Sequence, residues 1–262
     1  MLNYILWNPS PNAITIGSFS VQWYGLCWGT AILLCYFLAQ WFCKREGKDP
    51  EKMADLMIYV FSAALIGARL AQAIFYEPEL YLQNPVEIFK VWKGGLASHG
   101  GVVGVFVGMW IFSKKFPDYG YLWLMERTAI TAMIAGILIR FGNLMNSEIV
   151  GKVTDVSWAF IFERVDELPR HPTVLYEAIA YLLIFIFQLL LYRKIKSLLP
   201  GIYLSVFLTV VFSTRLLLEF TKQPESSGVF GLSNTQTLSL PLIAAGLIMF
   251  ALTFSGKLKN VK

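Results

Sequence analysis

Charge is scarce in this chain: Asp, Glu, Lys and Arg make up only 15% of its 262 residues, against 56% apolar. A soluble domain carries about a quarter charged residues, so a soluble fold is excluded. No polar block large enough for a soluble domain interrupts the apolar runs, and there are no internal repeats or low-complexity tracts. One membrane domain over 1–262 is expected. Cysteine is limited to Cys27, Cys35 and Cys43, all in or at the end of one apolar run. That spacing suits neither a metal site nor an internal disulfide framework, and the three read as small apolar core residues. Gly-rich nucleotide loops, metal-ligand clusters and Ser-His-Asp patterns are all missing, so neither a metal nor a cofactor is expected. The first twenty residues lack a basic n-region and a cleavage site, so no removable signal peptide is expected. Pro9, Pro11 and Asn12 mark an irregular segment ahead of the first apolar run.

What is present is a set of apolar runs. Seven are long enough to cross a hydrocarbon core of about 30 Å, which takes roughly 20 helical residues. They lie near 20–43, 54–76, 97–113, 121–140, 174–192, 201–220 and 236–255, the third being the shortest. The runs are continuous rather than alternating, which argues against barrel strands. The expected fold is therefore all-α, with seven transmembrane helices. Seven spans place the termini on opposite sides. Loops on the C-terminal side hold Lys44, Arg45, Lys48, Lys52, Lys114, Lys115, Arg127, Arg193, Lys194 and Lys196, and the tail adds Lys257, Lys259 and Lys262, thirteen in all. The other side holds six: Lys90, Lys93, Lys152, Arg164, Arg170 and Lys222. Positive charge stays in the cytoplasm, so the N-terminus is expected outside and the C-terminus inside. The net charge of +5 is largely this bias and calls for no nucleic-acid partner.

Three arginines remain, Arg69, Arg140 and Arg215, and they fall inside or at the end of spans. With that orientation they share one level in the outer leaflet. The only two histidines, His99 and His171, open helices at the same level, with Tyr24, Tyr176, Glu177 and Gln236. A lone arginine near a helix end can snorkel to the headgroups. Three together represent a sizeable insertion cost, about 2.5–3.5 kcal/mol each at mid-membrane and less near the interface. Guanidinium groups match phosphate oxygens bidentately, so a lipid phosphate is the expected ligand. Proton transfer falls to histidine. His99, between Leu96-Ala97-Ser98 and Gly100-Gly101, is the candidate base, with phosphate binding or a structural role as the alternative. His171 precedes Pro172, where a helix-entry role is equally open. The most polar stretch against a span is Arg140-Phe-Gly-Asn-Leu-Met-Asn-Ser-Glu148.

These blocks, in this order, resemble prolipoprotein diacylglyceryl transferase over nearly the whole length. The blocks are Trp23-Tyr24-Gly25; Gly67-Ala68-Arg69-Leu70 with Phe75-Tyr76; Gly94-Gly95-Leu96-Ala97-Ser98-His99-Gly100-Gly101; and Arg140 to Glu148 with Gly151. Further on come His171-Pro-Thr-Val-Leu-Tyr-Glu177, Arg215-Leu-Leu-Leu-Glu219-Phe220 with Gln223-Pro224, and Leu238-Ser239-Leu240-Pro241. Departures from the family pattern fall at Ile139, Thr173-Val174, Val211-Phe212 and Thr235.

The resemblance implies transfer of the sn-1,2-diacylglyceryl group from phosphatidylglycerol to the lipobox cysteine of prelipoproteins, releasing glycerol 1-phosphate, in the bacterial cytoplasmic membrane with the site toward the outer leaflet. Under it, His99, Arg140, Arg215 and Tyr24 are the catalytic set. Arg140, Asn143, Asn146, Glu148, Gly151, Arg69, Tyr76, His171, Tyr176, Glu177 and Glu219 are expected to bind phosphatidylglycerol, with Asn143, Asn146 and Glu148 holding the Arg140 guanidinium or the headgroup hydroxyls. The segments 77–95 and 152–170 are candidates for receiving the peptide, and Trp158 and Phe160 of the second could rest in the interface. A transporter or flippase of an anionic lipid is the rival reading; it predicts inverted repeats and broken helices at the bilayer centre.

Overall fold

A computed structural model describes residues 4–194, 199–223 and 231–258. Lys196, Lys259, Lys262 and Pro224 of the sequence reading lie outside them. The chain is mostly helical: α1 Trp23–Arg45, α2 Lys52–Ala71 with a π turn Gln72–Tyr76, α3 Pro78–Gln83, α4 Ser98–Lys115, α5 Tyr121–Met145, α6 Thr173–Lys194, α7 Ile202–Val206, α8 Phe212–Leu218 and α9 Asn234–Phe254. A π turn, Phe207–Val211, joins α7 to α8, and a 3-10 turn, Glu219–Thr221, closes α8.

Six of these helical stretches are long and apolar enough to cross a membrane: Trp23–Arg45, Lys52–Tyr76, Tyr121–Met145, Thr173–Lys194, Ile202–Thr221 and Asn234–Phe254. The chain is a multi-pass helical membrane protein. The expected third span forms α4, but Ser98-His99 and Lys114-Lys115 at its ends shorten its apolar stretch. Helix α5 runs past the expected end at 140 to Met145, so Arg140 sits inside the helix and not at its outer end. Arg127, counted above with a loop, is buried within α5, its guanidinium 5.6 Å from the Tyr192 ring centre and 5.7 Å from that of Tyr203.

The described chain forms two compact units, Met1–Leu38 with Glu126–Val261, and Ala39–Met125. The first carries five short strands that the all-α expectation left out. β1 (Ile5–Trp7) pairs in parallel with β4 (Phe160–Phe162), which pairs antiparallel with β5 (Pro169–Arg170). β2 (Asn12–Ile16) and β3 (Phe19–Gln22) form a hairpin in which Ile16 pairs with Phe19. The two residues between them require Gly17 at φ +60°, the signature of a two-residue hairpin loop. The prolines that suggested an irregular segment precede this hairpin. Phe160, expected to be free for the interface, is instead 7% exposed and packs with Phe162, Leu144 and Val174. Trp7 adds its ring to that cluster and donates from Nε1 to the Leu144 carbonyl at 2.9 Å. At the end of this small sheet Arg170 forks onto Asp166 from Nε at 3.0 Å. That bond holds the Asp166 carboxyl below the usual range and raises the guanidinium.

In the second unit, α2 and α4 touch backbone to backbone. A Cβ on Gly100 would lie 2.2 Å from the Gly67 carbonyl oxygen, and one on Gly104 2.2 Å from that of Ala63. Small residues at four-residue spacing allow this approach, the pattern that packs helices in lipid. Cys27 and Cys43 are buried and Cys35 half-buried, and none of the three is in a disulfide among the described residues, in keeping with the core reading. Tyr119, in the turn between α4 and α5, has its hydroxyl pushed up to about 12 by burial and the nearby Cys43, Asp49 and Asp118.

Candidate functional site

In the first unit the arginine of α5 meets a carboxylate of α6. Arg140 Nε pairs with Glu177 Oε2, and Nη1 donates to Asn143 Oδ1 at 3.1 Å. Glu177 is 0% exposed. Its other oxygen lies 2.9 Å from Lys222 Nζ, which also reaches Glu219 Oε2 at 3.1 Å. Neither Glu177 oxygen accepts a well-aligned hydrogen bond, so charge rather than geometry holds it. Burying a carboxylate is costly unless cations stand beside it, and two do. Ser233 Oγ donates to Glu219 Oε1 at 2.8 Å while capping α9 in a box with Gln236.

The carboxylate partner of Arg140 is thus Glu177 and not Glu148. Glu148 instead accepts from Asn143 Nδ2 at 2.7 Å and Asn146 Nδ2 at 3.1 Å, holding both asparagines. Asn143 relays that grip to Arg140. The oxygen Asn146 Oδ1 is buried with no hydrogen-bond partner among the described residues.

Sharp turning beyond α5 produces this arrangement. Ser147 and Ile149 both stand at φ +54°, a region a β-branched residue rarely occupies. Thr173 Oγ1 anchors the turn on the Ile149 carbonyl at 2.8 Å. Gly151 then docks: its N–H donates to the His171 carbonyl at 3.0 Å, and Lys152 N–H to that of Thr221 at 2.9 Å. A Cβ on Gly151 would lie 2.4 Å from the His171 carbonyl oxygen and 2.9 Å from that of Thr221. Gly151→Ala should therefore push the turn off the α6 entry. Overpacking of this kind costs about 1–3 kcal/mol. The expected result is a lower unfolding temperature in detergent together with lost activity, and wild-type values for both would refute the packing account.

Arg215 lies in α8, half-buried, four residues before Glu219. Among the described residues its guanidinium has no hydrogen-bond or ion-pair partner. Arg140 likewise has no described partner at Nη2. His171 Nδ1 lies 3.1 Å from the Tyr176 hydroxyl, which accepts from Trp158 Nε1 at 2.7 Å. Tyr24, at the start of α1, packs against α5: a Cβ on Gly142 would sit 2.9 Å from Tyr24 Cδ2.

The second unit holds the other expected site residues. His99, in the first turn of α4, and Tyr76, at the end of the π turn, are exposed and have no side-chain partner among the described residues. Arg69 is different: it is 5% exposed and every N–H points at a backbone carbonyl. Expected among the lipid ligands, it has no donor left for a phosphate. Among the described residues, no three His, Cys, Asp or Glu side chains gather where they could hold a metal ion.

A family model described as prolipoprotein diacylglyceryl transferase matches residues 11–252. The chain belongs to this family. It is 44% identical over 255 residues to the phosphatidylglycerol–prolipoprotein diacylglyceryl transferase of Tolumonas auensis, covering 97% of this chain and 99% of that one. The protein of the same name from Chloroherpeton thalassium is 44% identical over 250 residues, with 94% and 93% covered. That of Bacteroides fragilis is 39% identical over 277 residues, with 100% and 99% covered.

For a prolipoprotein diacylglyceryl transferase chain, two residues at this site went unnoticed in sequence. Lys222 was counted as loop charge, yet it joins Glu177 to Glu219. Its i,i+3 spacing from Glu219 was the available signal. Trp158 was read as an interfacial aromatic, and its hydrogen bond to Tyr176 leaves no trace in sequence spacing.

Proposed function

We propose that this chain transfers the diacylglyceryl group of phosphatidylglycerol to the lipobox cysteine thiol of prelipoproteins. Family membership supports the reaction class, and one structural observation carries the site: Arg140 and Arg215, unlike Arg69, keep N–H donors that are not committed to described protein atoms. In the reaction the cysteine sulfur attacks the terminal glyceryl carbon. The bond from that carbon to the phosphate oxygen breaks, and glycerol 1-phosphate leaves with the electron pair. Arg140 and Arg215 stabilise the charge gathering on its oxygens in a poorly hydrated site, where such stabilisation is strongest. Asn146 Oδ1, a buried acceptor lacking a donor, suits a hydroxyl of the headgroup glycerol.

A thiol titrates near 8.5, and His99 is proposed as the base that takes its proton. Tyr24, Gly151, Tyr76, His171, Tyr176, Glu177 and Glu219 complete the proposed lipid-facing set, acting directly or by holding the arginines. The reading places seven spans in a single domain of the bacterial inner membrane, with the N-terminus and the site outside. The lysine and arginine bias supports that orientation.

The test is incubation of the detergent-purified protein with phosphatidylglycerol and a fluorescent lipobox peptide. The expected result is a peptide mass gain of one diacylglyceryl group with release of glycerol phosphate. His99→Gln should lose most turnover while phosphatidylglycerol binding persists; loss of binding would reassign His99 to holding the lipid. An unmodified peptide together with lipid translocation in vesicles would favour the flippase reading instead.

A further inference from the structure

A guanidinium group has five N–H donors in a rigid plane. At Arg69 all five meet carbonyls of one short segment. Nε donates to Ile88 O at 2.9 Å. Nη1 donates to Gly94 O at 2.6 Å and Gly95 O at 3.0 Å. Nη2 donates to Glu87 O, and to Lys90 O at 3.2 Å. The remaining face covers the Tyr81 ring, with Cζ 5.1 Å from its centre. This segment contains only 3-10 turns, Pro85–Phe89 and Val91–Lys93, so many of its carbonyls lack partners in regular structure. Arg69 supplies them.

The segment ends where α4 begins. Gly94 at φ +84° and Gly95 at φ +70° turn their carbonyls onto Nη1, a backbone that other residues resist. A Cβ on Gly95 would sit 3.0 Å from Nη1. Next to the cage, Ala97 N–H donates to Ala68 O at 3.0 Å, so the α4 entry is tied to the residue beside Arg69. His99 follows two positions later. Its side chain has no described partner to orient it, so its place derives from the backbone it stands on.

We propose that Arg69 is a positioning residue: it cages the carbonyls of 87–95, fixes the start of α4 and so sets where His99 stands, without touching phosphatidylglycerol. A lysine keeps the charge but concentrates three donors at one point and cannot span five carbonyls. A phosphate ligand would tolerate Arg69→Lys in part; a cage would not.

The test rests on the transfer activity proposed above and uses the full-length protein. Arg69→Lys should lower kcat by at least about tenfold, as small misplacements of catalytic groups do. KM for phosphatidylglycerol should stay within about twofold, since no lipid contact is removed. Amide hydrogen exchange should quicken over 84–97. Gly95→Ala, which crowds the same cage from its other side, should give the same kinetic signature, and the two changes combined should cost less than the sum. A raised KM with kcat retained in Arg69→Lys would overturn the proposal in favour of a direct headgroup contact, as would wild-type exchange over 84–97. An inactive wild-type protein would count against the transfer reaction, while the exchange comparison would still decide the cage.

Discussion

Arg140→Ala is expected to reduce diacylglyceryl transfer by about a hundredfold to a thousandfold, the loss that follows removal of one oxyanion stabiliser. Arg140 lies well within α5, and its Nη2 is the edge left over after Glu177 and Asn143 are served. Truncation also strips Glu177 of one of its two cations, so some stability falls too. Arg215→Ala separates the effects, because Arg215 has no described ion pair to lose. It should show a comparable loss of turnover with an unfolding temperature near that of the wild type. The measurement is single-turnover transfer with purified lipid and a lipobox peptide, beside thermal unfolding in the same detergent. Wild-type turnover in Arg140→Ala would sink the assignment of phosphate stabilisation to this pair.

Glu177→Gln should produce the largest loss of stability. The carboxylate is fully buried and stands between Arg140 and Lys222. An isosteric amide leaves two cations facing each other with Glu219 alone to offset them. Breaking a buried ion pair by neutralising one partner costs about 3–5 kcal/mol. Adding Lys222→Met to Glu177→Gln removes the surplus charge and should restore part of the loss, which a thermodynamic cycle of the four proteins would read as coupling. If Glu177→Gln unfolds at the wild-type temperature, and the double variant gains nothing over it, the cluster does not hold these elements together.

Much of this was legible along the chain, because hydropathy and motif order are one-dimensional properties. Six apolar stretches became helices long enough to span, and the family blocks stood in order. Other features were not. The N-terminal prolines hid a hairpin whose Gly17 turn was the better signal.

By itself the sequence determined that this is a multi-pass helical membrane protein, and which polar residues stand near the ends of its spans. Lipid forbids unsatisfied backbone, so apolar length alone dictates helices. Only the tertiary structure decided which partner each polar group has. Arg140 takes Glu177 from the next long helix and not Glu148 nearby, Lys222 arrives from beyond α8, and β1 pairs with a strand far along the chain. The physical reason is that a buried charge is satisfied by whatever lies within a few ångströms in space. Spacing along a helix reports only neighbours three or four residues apart. For the same reason three arginines that look equivalent in sequence differ in the fold: Arg69 is fully occupied by carbonyls, Arg140 is partly committed, and Arg215 stands with no described partner. Availability of donors, which decides what can bind an anion, is a property of the packed structure.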